Sequence, residues 1–147
     1  MPFAKIFSIT LLLIFPMAGE LCGQNIEVTV TGIRSSEGQL VLGVFTSDEA
    51  FHSEESVLEK REPKSGMKDG SITINITLEP GVYGISVLDD EDSDAEMEFN
   101  FLGIPKEGFG FSDYYHTGFT KPKFDLYKFT VTKDKPLKLN VRMRYIL

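Results

Sequence analysis

An all-β fold, a single antiparallel β-sandwich of about seven strands with transthyretin-like or immunoglobulin-like connections, is what this sequence predicts. Three observations predict it. Apolar residues recur with a period of two, turn residues separate the alternating runs at near-regular spacing, and no long amphipathic helical stretch is present.

The runs can be taken in order. Ile26, Val28 and Val30 face one way while Glu27, Thr29 and Thr31 face the other, which makes a half-buried strand ending near Gly32. Ser35-Ser36-Glu37-Gly38 supplies a turn. Gln39 to Thr46 forms the next strand, so the pair reads as a hairpin. Both faces of that second strand are apolar, with Leu40, Leu42 and Val44 on one and Val41 and Phe45 on the other, as expected of a central strand covered twice. Ser47 before Asp48-Glu49 has the pattern of an N-cap with first-turn acids and predicts a short helical turn through Phe51.

Between Ser53 and Lys68 the charges are mixed, and a polar edge strand ended by Pro63 is expected. Ile72, Ile74, Ile76 and Leu78 then alternate with Ser71, Thr73, Asn75 and Thr77. Pro80-Gly81 turns the chain, and Val82 to Leu88 returns with Gly84 and Ser86 leaving room for a close neighbour on one face. Tyr83 reads as a corner-packing aromatic. Phe124 to Thr132 and Leu137 to Tyr145 complete the set.

The N-terminus carries an address. Lys5, the apolar run Ile6 to Phe15, Pro16 and then small residues follow the order of a secretory signal peptide, expected over 1–23 with cleavage before Gln24. The run is shorter than the roughly 20 apolar residues of a spanning helix, so no transmembrane segment is expected after cleavage. Cys22 raises lipidation as an alternative, against which stand bulky Leu21 and charged Glu20 where a lipoprotein peptidase prefers small residues. Cleavage before Gln24 leaves residues 24–147 as one β-sandwich domain without cysteine, to be stabilised by packing alone, in the periplasm or outside the cell. A net charge of −7 argues against nucleic acid and anionic lipid as partners.

Two segments carry candidate chemistry. The acidic run Asp89 to Glu98 leaves the end of the Val82 to Leu88 strand, and loop ends are where sandwiches bind things. Asp90, Asp92 and Asp94, with Glu98 as a further donor, have the alternate spacing that lets carboxylates converge on one hard cation, for which calcium is the candidate. The other reading is a solvated acidic turn that keeps a sheet edge soluble. An EF-hand is excluded, because Ala95 and Phe101 occupy the positions that need glycine and a bidentate glutamate. The second segment, Phe99 to Ser112, interleaves aromatics with glycines. It is expected either to cover the open end of the sandwich or to line a cleft with Phe109, Phe111, Tyr114 and Tyr115.

Catalytic signals are sparse. Ser112, Asp113 and His116 lie within one irregular segment, whereas a nucleophilic relay draws its groups from separate rigid elements. Neither a phosphate-binding glycine loop nor a Cys/His metal cluster is present in the sequence.

Taken together, Gly32 to Leu40, the turn Pro80-Gly81-Val82-Tyr83, the acidic loop and Asn100-Phe101-Leu102-Gly103-Ile104-Pro105-Lys106-Glu107-Gly108-Phe109-Gly110-Phe111-Ser112 resemble the secreted bacterial family catalogued as domain of unknown function 2141. The resemblance implies an exported all-β domain and no established activity. Where relatives carry two glycines in the acidic loop, this chain has Ser93 and Ala95. The expected function is a non-enzymatic binding or envelope module, calcium-stabilised through Asp90, Asp92, Asp94 and Glu98, that presents its loop end to a protein or glycan partner. The alternative is a carboxylate-dependent hydrolase acting at the same loop end.

Overall fold

A computed structural model describes residues 23–147; residues 1–22 of the expected signal segment, Cys22 among them, lie outside the described residues. Among the described residues, eight strands form two sheets. The smaller has the order β4–β1–β8, with β1 Gln24–Thr31, β4 Ile72–Leu78 and β8 Leu137–Arg142. The larger has the order β3–β2–β5–β6, with β2 Gln39–Phe45, β3 Leu58–Pro63, β5 Gly81–Asp90 and β6 Gly108–Phe111. Strand β7, Lys128–Val131, also pairs with β5, along Gly81 to Gly84, while β6 takes Ser86 to Asp89.

The two-sheet, all-β expectation is met, and the alternating residues sit where period two places them. Ile26, Val28, Val30, Ile74, Leu139 and Val141 from the small sheet meet Leu40, Leu42, Val44, Ile85 and Val87 from the large one in a single buried cluster. Burying such aliphatic side chains stabilises by about 1.5–3 kcal/mol each, which is the main force holding the sheets together.

Several local expectations are corrected. β1 and β2 are not a hairpin. β1 lies antiparallel to β4 and parallel to β8, while β2 lies in the other sheet between β3 and β5. The Pro80-Gly81 turn likewise carries the chain from one sheet to the other instead of joining neighbours. Alternation records only that each strand has an inward face, and two inward faces can lie side by side or opposite each other. The β1–β8 pairing is parallel, so the sandwich is not purely antiparallel.

Phe124–Leu126 is a 3₁₀ turn and not part of a strand, and the glycine-aromatic segment contributes a strand of its own, β6. At β6 and just after it the sheets are tied together: Phe109 and Arg144 exchange two backbone hydrogen bonds, and the Asp113 amide donates to the Asn140 carbonyl at 2.8 Å.

Other local readings hold. The Ser47 hydroxyl accepts from the Ala50 amide at 3.1 Å and caps helix α1, Asp48–His52. β3 is an edge strand, and its Lys60 ammonium reaches the Asn75 carbonyl of the opposite sheet, an inward-pointing charge of the kind that blocks edge pairing. Gly84 lies beneath the Tyr127 ring, so close that a Cβ there would overlap it. The close neighbour expected at this face is, over Gly84, the Tyr127 ring with Phe124 beside it.

Candidate functional site

The acidic run is divided by the pleat of β5. Asp89 pairs in register with Leu40 and points to the core side, whereas Asp90 pairs with Gln39 and points to the outer side. Asp89 is fully buried, forms an ion pair with Lys64 and accepts a short hydrogen bond from the Tyr145 hydroxyl. Lys64 also donates to the Ser35 carbonyl at 3.1 Å. Burial, with the Asp89 carboxylate adding to it, pushes the Tyr145 phenol well above its ordinary range.

Asp90 is equally buried but organises the loop. Its Oδ1 accepts from the Asp94 amide at 3.0 Å, and its Oδ2 accepts from the Ala95 amide at 3.0 Å and from Gln39 Nε2 at 2.7 Å. Burial works against its charged form. The hydrogen bonds from Gln39, Ala95, Asp92 and Asp94 outweigh that and hold the carboxyl below the usual range. The turn so formed places Ser93 and Ala95 at φ of 65° and 64°, the left-handed region that favours glycine.

Beyond the turn the chain runs out and back as a hairpin, with the Lys106 amide donating to the Glu98 carbonyl at 2.9 Å. Its tip is closed by Asn100, whose Oδ1 accepts from the Leu102 and Ile104 amides. Phe101, 95% exposed, stands at the apex. Arg34 clamps the base from outside: its Nε donates to Glu91 at 2.7 Å, its Nη2 to the Lys106 carbonyl at 3.3 Å, and its guanidinium stacks on Tyr145.

The structure divides the four expected metal ligands and adds a fifth acid. One carboxylate oxygen each from Asp90, Asp92 and Glu107 lie within 4.8 Å of one another, and Asp92, Asp94 and Glu98 form a second group of the same span. The second group is wholly exposed. Glu107 is 6% exposed; its Oε1 accepts from the Glu91 amide at 3.1 Å, and its Oε2 is sealed from solvent with no hydrogen-bond partner. Burial raises its carboxyl above the usual range, and the neighbouring Asp92 and Asp90 charges add to this against the amides of Glu91 and Glu98. Sequence reasoning missed Glu107 because it stands 17 positions along from Asp90, at the far end of the excursion. The signal available was its place directly before Gly108, where the chain must return to the sheet.

The outer face of the large sheet carries a groove of about 640 Å³. Gly43 and Ser86 lie in its floor, Phe45, Phe109 and Phe111 furnish aromatic surface, and Ala95 and Met97 of the acidic excursion form one wall. The lining also contains Phe119, held by Arg144, which donates to the His116 and Gly118 carbonyls at 2.8 and 2.7 Å and lies over the Phe109 and Phe119 rings. One end of the groove rests on a buried aromatic cluster of Phe45, Phe51, Phe111, Phe124 and Tyr127. Phe111 thus serves both as cover and as lining. Tyr114 packs against the cluster, and Tyr115 lies outside it, half exposed beneath Arg142.

No relay forms at Ser112. Its hydroxyl is buried, donates to the Tyr127 carbonyl at 2.7 Å and accepts from the Ile85 amide at 3.0 Å, while His116 Nε2 contacts the Thr120 carbonyl at 2.5 Å.

These features define a two-sheet all-β protein with an aromatic groove on one sheet and an acidic hairpin forming its wall. The family model described as "Uncharacterized protein conserved in bacteria (DUF2141)" matches residues 28–139, from β1 into β8, and the chain belongs to that family. Comparison with curated proteins and with solved structures returns no match. No helix among the described residues is long and apolar enough to cross a membrane.

Proposed function

We propose that this protein is an exported, non-enzymatic binding module of the bacterial envelope, periplasmic or extracellular, that takes a protein or glycan partner in the groove over the large sheet. The observation that carries the reading is the groove itself, a preformed concavity of about 640 Å³ lined by Phe45, Phe109, Phe111 and Phe119 and rimmed by Glu54, Glu59 and Glu96. Aromatic faces flanked by polar groups suit the apolar faces of sugars or the side chains of a peptide. The net charge of −7 disfavours polyanions. Export is supported by the charged, apolar and small-residue order of positions 1–23.

Binding is favoured over the hydrolase alternative by the carboxylates that line the groove. Of the loop carboxylates only Glu96 lines the groove, and the two other acids there, Glu54 and Glu59, are ion-paired with Lys121 and Arg61, so among the described residues the groove offers a substrate no free carboxylate pair. The test is a titration of isotopically labelled protein with soluble peptidoglycan fragments and, separately, a peptide library, read by NMR. Shifts centred on Gly43, Ser86, Phe109 and Phe119 are expected, and binding should be lost in Phe109→Ala. Shifts confined to other faces, or none with either ligand class, would sink the reading.

A further inference from the structure

We propose that Asp90, Asp92 and Glu107 form a calcium site at the base of the acidic hairpin. The inference does not depend on the groove: either can fail while the other stands.

Three carboxylate oxygens, one from each residue, lie within 4.8 Å of one another. Two of the three residues are fixed by the sheet, since Asp90 is the last residue of β5 and Glu107 directly precedes β6. The third, Asp92, is supplied by the loop and is exposed, which leaves a path for an ion to enter. The observation that points to a ligand is Glu107. It is more than nine-tenths buried beside the other two acids, and its Oε2 has neither solvent nor a hydrogen-bond donor. A buried polar atom without a partner is uncommon and costs free energy, more so when charged.

No lysine, arginine or histidine among the described residues forms an ion pair with Asp90, Asp92 or Glu107. The neighbouring Asp89 differs in this respect, because Lys64 neutralises it. One hard divalent cation would satisfy the sealed oxygen and remove the mutual repulsion of the three acids. An all-oxygen donor set without His or Cys disfavours zinc. Calcium accepts six to eight oxygens in irregular arrangements, so water and backbone carbonyls can complete its shell, whereas magnesium demands a near-octahedral one. The exposed outer group is the contrast: Asp94 accepts from the Glu96 amide at 2.8 Å, Glu98 pairs with the Lys106 ammonium at 3.3 Å, and neither has a sealed oxygen, so they are left out of the site.

The experiment is calorimetric titration of chelator-treated protein with calcium chloride, with the melting temperature followed in parallel. Wild type is expected to bind with a Kd of roughly 10⁻⁴–10⁻³ M and to melt a few degrees higher at saturating calcium. Glu107→Gln and Asp92→Asn should each weaken binding by roughly tenfold or more, and Asp94→Asn and Glu98→Gln by less than about threefold. Asp92 is exposed, so its variant folds even if the one at Glu107 does not. Absence of both heat and thermal shift in wild type overturns the site. So does loss of binding in Asp94→Asn or Glu98→Gln with none in Asp92→Asn and Glu107→Gln, and an equal response to magnesium overturns the choice of calcium.

Discussion

Asp89 and Asp90 are consecutive carboxylates, both fully buried, that leave the same strand in opposite directions: Asp89 meets Lys64 in the core, and Asp90 gathers the amides of the acidic loop. One pleat of β5 thus assigns a stabilising ion pair to one face and the anchor of the hairpin to the other.

The Lys64–Asp89 pair has no exposure to water, so removing one partner strands the other. Lys64→Met is expected to destabilise by about 3–5 kcal/mol in urea unfolding, and Lys64→Met with Asp89→Leu should recover much of that loss. A single variant as stable as wild type would mean that water reaches Asp89.

Asp90 bonds two loop amides and the Gln39 side chain. Asp90→Ala should cost roughly 2–4 kcal/mol, because hydrogen bonds to a charged group are individually strong and their donors are left behind. Amide exchange at Asp94 and Ala95 should accelerate well beyond that in β1 and β4. Uniform acceleration across the chain would show that the anchor is not local.

Ser93 and Ala95 adopt left-handed backbone conformations in which a Cβ is unfavourable. Ser93→Gly and Ala95→Gly are each expected to stabilise by roughly 0.5–1 kcal/mol, the reverse of the usual cost of glycine. Thermal unfolding of the two single variants and the double variant measures this. A lowered melting temperature in both would refute the strain argument.

Gly84→Ala places a methyl group into the Tyr127 ring, itself fully buried against Phe51, Phe111 and Phe124. Overpacking of this kind should destabilise by roughly 1–3 kcal/mol. Chemical unfolding checks it, and Gly84→Ala combined with Tyr127→Leu should be less than additive because the two changes share one contact.

The groove and the acidic hairpin were legible in part. Asp90, Asp92, Asp94 and Glu98 are close in the chain, so their nearness followed from spacing, but the structure splits them into an inner group with Asp90 and an outer one with Asp94 and Glu98. Glu107 joins Asp90 only because β5 and β6 are neighbours in the sheet. Phe109 and Phe111 stood out by composition, but their shared outward face depends on their pairing with Leu88 and Ser86.

What the sequence by itself determined is local: which residues turn inward along each strand, where Ser47 caps a helix, that Pro63 ends an edge strand and that acids crowd the end of β5. These follow from side-chain alternation and short-range hydrogen bonding, which neighbouring residues settle among themselves. Tertiary structure alone decided that β1 and β2 face each other across the core, that β1 runs parallel to β8, and that one of two adjacent aspartates meets Lys64 while the other meets Glu107. Those outcomes depend on which strands share an edge, a choice made by the packing of whole sheets and not encoded in any single run of residues.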